Sequence, residues 1–155
     1  MEIFEYIRDI GCFVRKRTTS PNALAGQIAG YRDKDGRITI WVDGRLYLAH
    51  RLAWLYVTGS FPDGPLDHKD LNPSNNRWDN LRPANHSLNG ANRPCQANNK
   101  FRIKGITFEA GKYRARICKE GVTYHLGRFG SLEEAGNAYV DKAKVLFGEY
   151  AYDQA

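Results

Sequence analysis

Residues 66–92 run LDHKDLNPSNNRWDNLRPANHSLNGAN. It sits in a longer region, 60–99, that carries Pro62, Pro65, Pro73, Pro83 and Pro94 and is rich in asparagine. A structureless loop of that length is rare inside a compact domain, so an organised functional loop with a short helix, Asn85 to Asn92, is expected. Asparagines in such loops are mostly turn formers and caps, because they tolerate left-handed backbone and bond their own chain.

Within the stretch, Asp67 and His68 set a carboxylate beside an imidazole. Hydrolysis of a phosphodiester needs a base that takes a proton from water near neutral pH, and histidine is the usual one. It also needs a hard cation held through oxygen. Asp67, with the amide oxygen of Asn89 on the following helix, can hold one Mg²⁺ or Mn²⁺, whereas zinc is disfavoured without thiolates or clustered histidines. Two protein ligands hold such an ion weakly, and substrate phosphate completes its shell. Neighbours on a regular strand point to opposite faces, so the strand is expected to end or bulge at Asp67-His68.

Outward from the stretch, regular elements are legible. Arg37 to Val42 alternates and is β-branched and aromatic, Asp43-Gly44 turns, and Arg45 to Leu48 returns, which is a hairpin pattern. A helix from His50 to about Thr58 follows, with Leu52, Leu55 and Tyr56 on one face and Gly59 as its stop. Downstream, Ile103–Phe108, Lys112–Lys119 and Thr123–Phe129 read as three strands joined at Ala110-Gly111 and Glu120-Gly121. In the middle strand Tyr113, Ala115 and Ile117 alternate with Arg114, Arg116 and Cys118. Ser131-Leu-Glu-Glu134 is a capping box opening a helix whose Ala135, Ala138, Tyr139, Lys142, Val145 and Leu146 fall near helical spacing and which Gly148 ends. Its small alanines allow close packing on the apolar face of the sheet, leaving the basic face exposed.

The 155 residues carry a net charge of +6, and the excess is local. Residues 99–130 hold eight Lys/Arg against two acids, while 1–98 net +3 and 131–155 net −3. A concentrated basic stretch favours a polyanionic partner. Cys12, Cys95 and Cys118 are odd in number and far apart, so no disulfide partner is expected. No run of roughly 18 apolar residues is present and the N-terminus lacks a basic-then-apolar signal layout, so a soluble protein that stays in the compartment of its synthesis is expected.

The stretch resembles the HNH homing-endonuclease family, whose core is the ββα-metal finger. The resemblance is carried by Asp67-His68-Lys69-Asp70, by Asn75-Asn76-Arg77-Trp78-Asp79-Asn80-Leu81-Arg82, by Asn89-Gly-Ala-Asn92 and by the upstream His50-Arg51-Leu52-Ala53-Trp54. It implies double-stranded DNA as substrate, His68 as general base, Asp67 and Asn89 as metal ligands, and Asn80 as the asparagine that braces the loop and orients the His68 strand. The C-terminal part resembles the DNA-binding domain of plant ethylene-response factors. That likeness rests on Lys104-Gly105-Ile106, Gly111 to Ile117, His125 to Phe129, Glu134-Ala135, Ala138-Tyr139 and Gly148-Glu-Tyr-Ala151. It implies a three-stranded sheet laid in the major groove, with Arg114, Arg116, Thr123, His125 and Arg128 on its exposed face and Lys104 and Lys112 nearby. Two departures, Thr107 and the short segment before Tyr113, prevent any carry-over of base preference.

The expected fold class is α+β, a ββα-metal (His-Me finger) core followed by a three-stranded antiparallel sheet packed on one helix. The expected domains are 1–98 (core about 47–93) and 99–155. The expected function is DNA cleavage by a monomer with one divalent cation. The family combination implies a phage-encoded enzyme in a bacterial cytoplasm. A non-catalytic DNA-binding regulator with a relic core is the alternative. An RNA-binding sheet is disfavoured, because exposed aromatics for base stacking are not evident.

Overall fold

The computed structural model describes residues 2–152; Met1 and 153–155, the outer ends of the two expected domains, lie outside the described residues. Contacts divide the chain into two compact units, Met1–Asn85 and His86–Ala155.

The first unit begins with β1 (Phe4–Ile7), β2 (Cys12–Arg15) and β3 (Ile28–Ala29), an antiparallel sheet in that order. A second sheet joins β4 (Tyr31–Arg32), β5 (Ile38–Val42) and β6 (Arg45–Leu48). Asp43 (φ +48) and Gly44 (φ +76) both take the left-handed region, the geometry a two-residue hairpin turn requires. Helix α1 (Ala49–Thr58) ends at Gly59, whose N–H donates to the Leu55 carbonyl. It buries Ala49, His50, Leu52 and Ala53 rather than the expected Leu52–Leu55–Tyr56 stripe, and Tyr56 is exposed although its ring meets those of Tyr6 and Phe13. β7 (Leu66–His68) pairs antiparallel with β8 (Leu81–Pro83), and the ladder stops at His68. One core of Phe4, Tyr6, Phe13, Ala29, Ile40, Ala49, Leu52, Ala53 and Leu81 ties these elements together.

The second unit opens with α2 (His86–Asn92), continues through β9 (Ile106–Glu109), β10 (Lys112–Lys119) and β11 (Val122–Phe129), and closes with α3 (Leu132–Phe147). The three strands form an antiparallel sheet with β10 central. Its inner face presents Ile106, Ala115 and Ile117 to Ala135, Tyr139, Ala143 and Phe147 of α3. Val145, expected on the packed face, is 77% exposed, because Ala143 and Phe147 occupy the inner stripe instead. The Ser131 capping box is formed: the Ser131 side chain accepts from the Glu134 N–H, and Glu134 Oε2 accepts from the Ser131 N–H.

Two features depart from a regular sheet. The first strand starts at Ile106, not Ile103, because Gly105 takes φ +69 and its carbonyl accepts from the Arg116 N–H. A Cβ there would stand 2.0 Å from the Arg116 carbonyl oxygen, so only glycine fits. The second is a bulge: Ala115 faces Gly127 while Arg116 faces His125. Strict alternation from Thr123 would turn Arg128 toward α3. The extra residue returns it to the side of Thr123 and His125.

Helix α2 packs within the second unit. Leu88 and Ala91 join its core, and the Lys104 ammonium donates to the carbonyls of Gly90 (3.0 Å) and Ala91 (2.9 Å). The boundary drawn by contacts therefore precedes the one expected at 98/99. Among the described residues, no helix is long and apolar enough to cross a membrane.

Candidate active site

Asp67 and His68 end β7, and the short ladder decides what each one meets. Asp67 stands directly opposite Arg82 on β8. Arg82 Nε donates to Asp67 Oδ2 at 2.9 Å, and Nη2 lies 2.8 Å from the same oxygen. Both side chains are buried, so this is a desolvated ion pair, in which losing either partner is costly. His68, one residue on, meets a different set: its Nε2 lies 3.1 Å from Asn76 Oδ1, and its ring stands edge-on to the His50 ring with centroids 5.2 Å apart.

The loop between β7 and β8 is built by its own polar side chains. Asp70 Oδ1 accepts from the Asn72 N–H, and Asn72 Oδ1 from the Ser74 N–H, each two residues on. Asn80 braces this loop: its Oδ1 accepts from the Asp70 N–H, and its Nδ2 donates to Asp70 Oδ1 and to the Asn75 carbonyl. Burial raises the pKa of Asp70, but hydrogen bonds from Asn75, Asn72 and Asn80 outweigh it and hold the carboxyl below its ordinary value. The loop is also pinned from outside, by Ser74 Oγ donating to the Gly36 carbonyl and the Trp78 N–H donating to the Arg8 carbonyl.

His50 lies inside the core at 8% exposure, and its Nδ1 is buried with no hydrogen-bond partner among the described residues. Burial, and then the charges of His68, Arg51 and Arg37, push its pKa down to about 4. The folded value lies below the ordinary 6.5, so the unfolded chain takes the proton first. Stability from this group is complete above about pH 6.5 and is lost as pH falls toward 4, in all roughly 3 kcal/mol. Urea midpoints measured across that window are expected to drop in the wild type, and a flat profile would contradict a neutral buried His50.

Asn89 lies half-buried on α2, in the second unit. The expected metal donors, Asp67 and Asn89, are a carboxylate and an amide. Both offer hard oxygen, which fits Mg²⁺ or Mn²⁺ in kind. Among the described residues there is no cluster of three or more His, Cys, Asp or Glu able to hold a metal.

On the second unit, Arg116, Thr123, His125 and Arg128 are exposed on the sheet face turned away from α3. Arg114 is half-buried there, with Nη2 3.2 Å from His125 Nδ1 and Nη1 3.6 Å from Glu109. Lys112 is exposed at the strand end. The half-buried Lys104 ammonium donates to the α2 carbonyls of Gly90 and Ala91 and lies over the Tyr152 ring, and burial lowers its pKa.

Three residues of the site have no role legible in the sequence: Asn76, Arg82 and His50. Asn76 and Arg82 stand in the quoted Asn75–Arg82 motif, and His50 in the upstream segment, so the signal was present but carried no partner assignment.

The sequence profile described as HNH endonuclease matches residues 47–91, from β6 through α1, β7 and β8 into α2. An uncharacterized HNH endonuclease of Acanthamoeba polyphaga mimivirus is 31% identical over 122 residues. The alignment covers 78% of this chain and 64% of that relative, so the chain spans less than two thirds of the relative's length. No solved structure gives a significant match. Both likenesses point the same way: over its β6-to-α2 stretch this chain is similar to the HNH endonucleases.

Proposed function

We propose that the chain is a metal-dependent DNA endonuclease of the HNH type. The observation that carries the reading is His68, at the end of β7 beside Asp67, with its imidazole held by a buried amide inside the HNH-like stretch. In this reading His68 takes the proton of the attacking water as the phosphodiester bond breaks. Asp67 and Asn89 would hold one Mg²⁺ or Mn²⁺. Such an ion, when bound, stabilises charge on the phosphoryl and leaving oxygens. Arg82 fixes the Asp67 carboxylate, as outer partners of metal-ligating carboxylates do. Asn80 keeps the β7–β8 loop in shape.

The second unit is, in the same proposal, the DNA-binding part, of ethylene-response-factor type. Its three antiparallel strands backed by α3 and its exposed Arg116, His125, Thr123 and Arg128 support this. Arginines on such a face can clamp phosphate or read guanine, and Arg114 and Lys112 lie in reach of the same surface. The resemblance extends the proposal to a phage-encoded enzyme acting in a bacterial cytoplasm, with homing, restriction and phage DNA processing all open as its role.

The deciding experiment is conversion of supercoiled plasmid, and of phage genomic DNA, with Mg²⁺ or Mn²⁺ and with EDTA. Open circle formed with metal and not with EDTA is expected. One observation favours a second reading: the Asp67 carboxylate already holds a buried guanidinium, a purely architectural use. DNA binding with no cleavage under either metal would decide for a regulator with a relic core.

A further inference from the structure

Asn76 is 1% exposed and ranks among the most deeply buried side chains of the described residues. Its Oδ1 faces His68 Nε2 at 3.1 Å, while its Nδ2 donates to the Ser74 carbonyl at 3.3 Å. The second contact sets which way the amide points. An amide oxygen only accepts, so the hydrogen of this bond belongs to His68 Nε2. A neutral imidazole carries one N–H and one lone pair, and with the N–H at Nε2 the lone pair is on Nδ1.

We propose that Asn76 is a positioning residue that locks His68 in its Nε2–H tautomer and so makes Nδ1 the proton-accepting atom. The catalytic meaning rests on the nuclease reading; the tautomer does not. An amide suits the task. It holds the N–H without placing an uncompensated carboxylate in a site this dry.

Asn76 is itself held by the N-terminal hairpin. The Tyr6 hydroxyl donates to the Asn76 carbonyl at 2.5 Å, and burial pushes that phenol up to about 12, so it keeps its proton at working pH. Gly11, between β1 and β2, lies so close that a Cβ would stand 2.4 Å from the Asn76 carbonyl carbon and 2.3 Å from the Arg77 nitrogen. With φ +69 as well, the position accepts glycine alone. The β1–β2 hairpin thereby acts on His68 through one intervening residue. The edge-on His50 ring flanks the same imidazole.

The test is a long-range proton–nitrogen correlation spectrum of nitrogen-15-labelled full-length protein at alkaline pH, with His68 assigned by loss of its signals in His68→Gln. Wild-type His68 is expected to show a protonated Nε2 and an unprotonated Nδ1. In Asn76→Ala the ring is expected to populate both tautomers, and nicking to fall about 10–100-fold in kcat with KM little changed. Asn76→Asp keeps an acceptor at the same place but buries a charge, so it is expected to keep the Nε2–H form at a cost in stability. An Nδ1–H tautomer in the wild type, an unchanged tautomer in Asn76→Ala, or loss of the Nε2–H form in Asn76→Asp overturns the proposal. A wild-type protein that never nicks DNA overturns the nuclease reading instead, and the spectrum still decides the tautomer.

Discussion

Replacing His68 with alanine is expected to slow metal-dependent nicking about 10²–10⁴-fold, the usual contribution of a positioned general base. Among the described residues, the imidazole that packs against it is not poised to replace it. His50 is the neighbouring imidazole, but it is buried in α1 and its pKa is depressed to about 4, so its fit is that of a packed core group. DNA affinity is expected to stay within a few-fold of wild type, because the charges proposed to grip the duplex lie on the second unit. Single-turnover nicking and filter binding on one preparation give both numbers. A His68→Ala protein that nicks within threefold of wild type would remove this residue from the chemistry.

Replacing Arg82 with leucine is expected to destabilise the first unit by about 3–5 kcal/mol. The change takes the counter-charge away from a carboxylate whose side chain is 10% exposed. It also removes the cross-strand pair at the middle rung of a two-stranded ladder only three residues long. Urea titration at neutral pH measures the loss. The double variant Asp67→Asn with Arg82→Leu is expected to regain much of it, since the buried charge then goes too. A loss under about 1 kcal/mol in Arg82→Leu would show that the pair does not carry the ladder.

What the sequence made legible was local. Paired dihedrals at Asp43-Gly44, Ala110-Gly111 and Glu120-Gly121 follow from residue type, as do the Ser131 capping box and the in–out alternation of Lys112–Lys119. What it left unread depends on register and long-range packing. Arg82 meets Asp67 only because β7 and β8 align with those two residues opposed, fifteen positions apart. Asn76 meets His68 because the β1–β2 hairpin and Tyr6 hold the loop where they do, seventy positions away. Lys104 is expected near the DNA-binding face from the resemblance of Lys104-Gly105-Ile106, and residue identity does not disclose its contacts to α2. Its partners there are backbone carbonyls. The dense asparagines divide between these classes: Asn72 and Asn75 shape turns, Asn80 braces the loop, and Asn76 holds the imidazole.

The anchoring of α2 by Lys104 has a bearing on how such chains can be reshuffled. The helix closes the HNH-like stretch and opens the second compact unit, so one element answers to two modules. A crossover placed after residue 98, where composition suggests a seam, would separate the helix from the ammonium that caps its last carbonyls and from Tyr152, whose N–H donates to Ala91. Grafts that trade one sheet module for another must therefore carry a cation at the Lys104 position, or cut upstream of His86 and import the helix with the sheet. Chimeras joined at the two places offer a direct comparison, and lineages that have exchanged such modules should show their breakpoints on the early side of the helix.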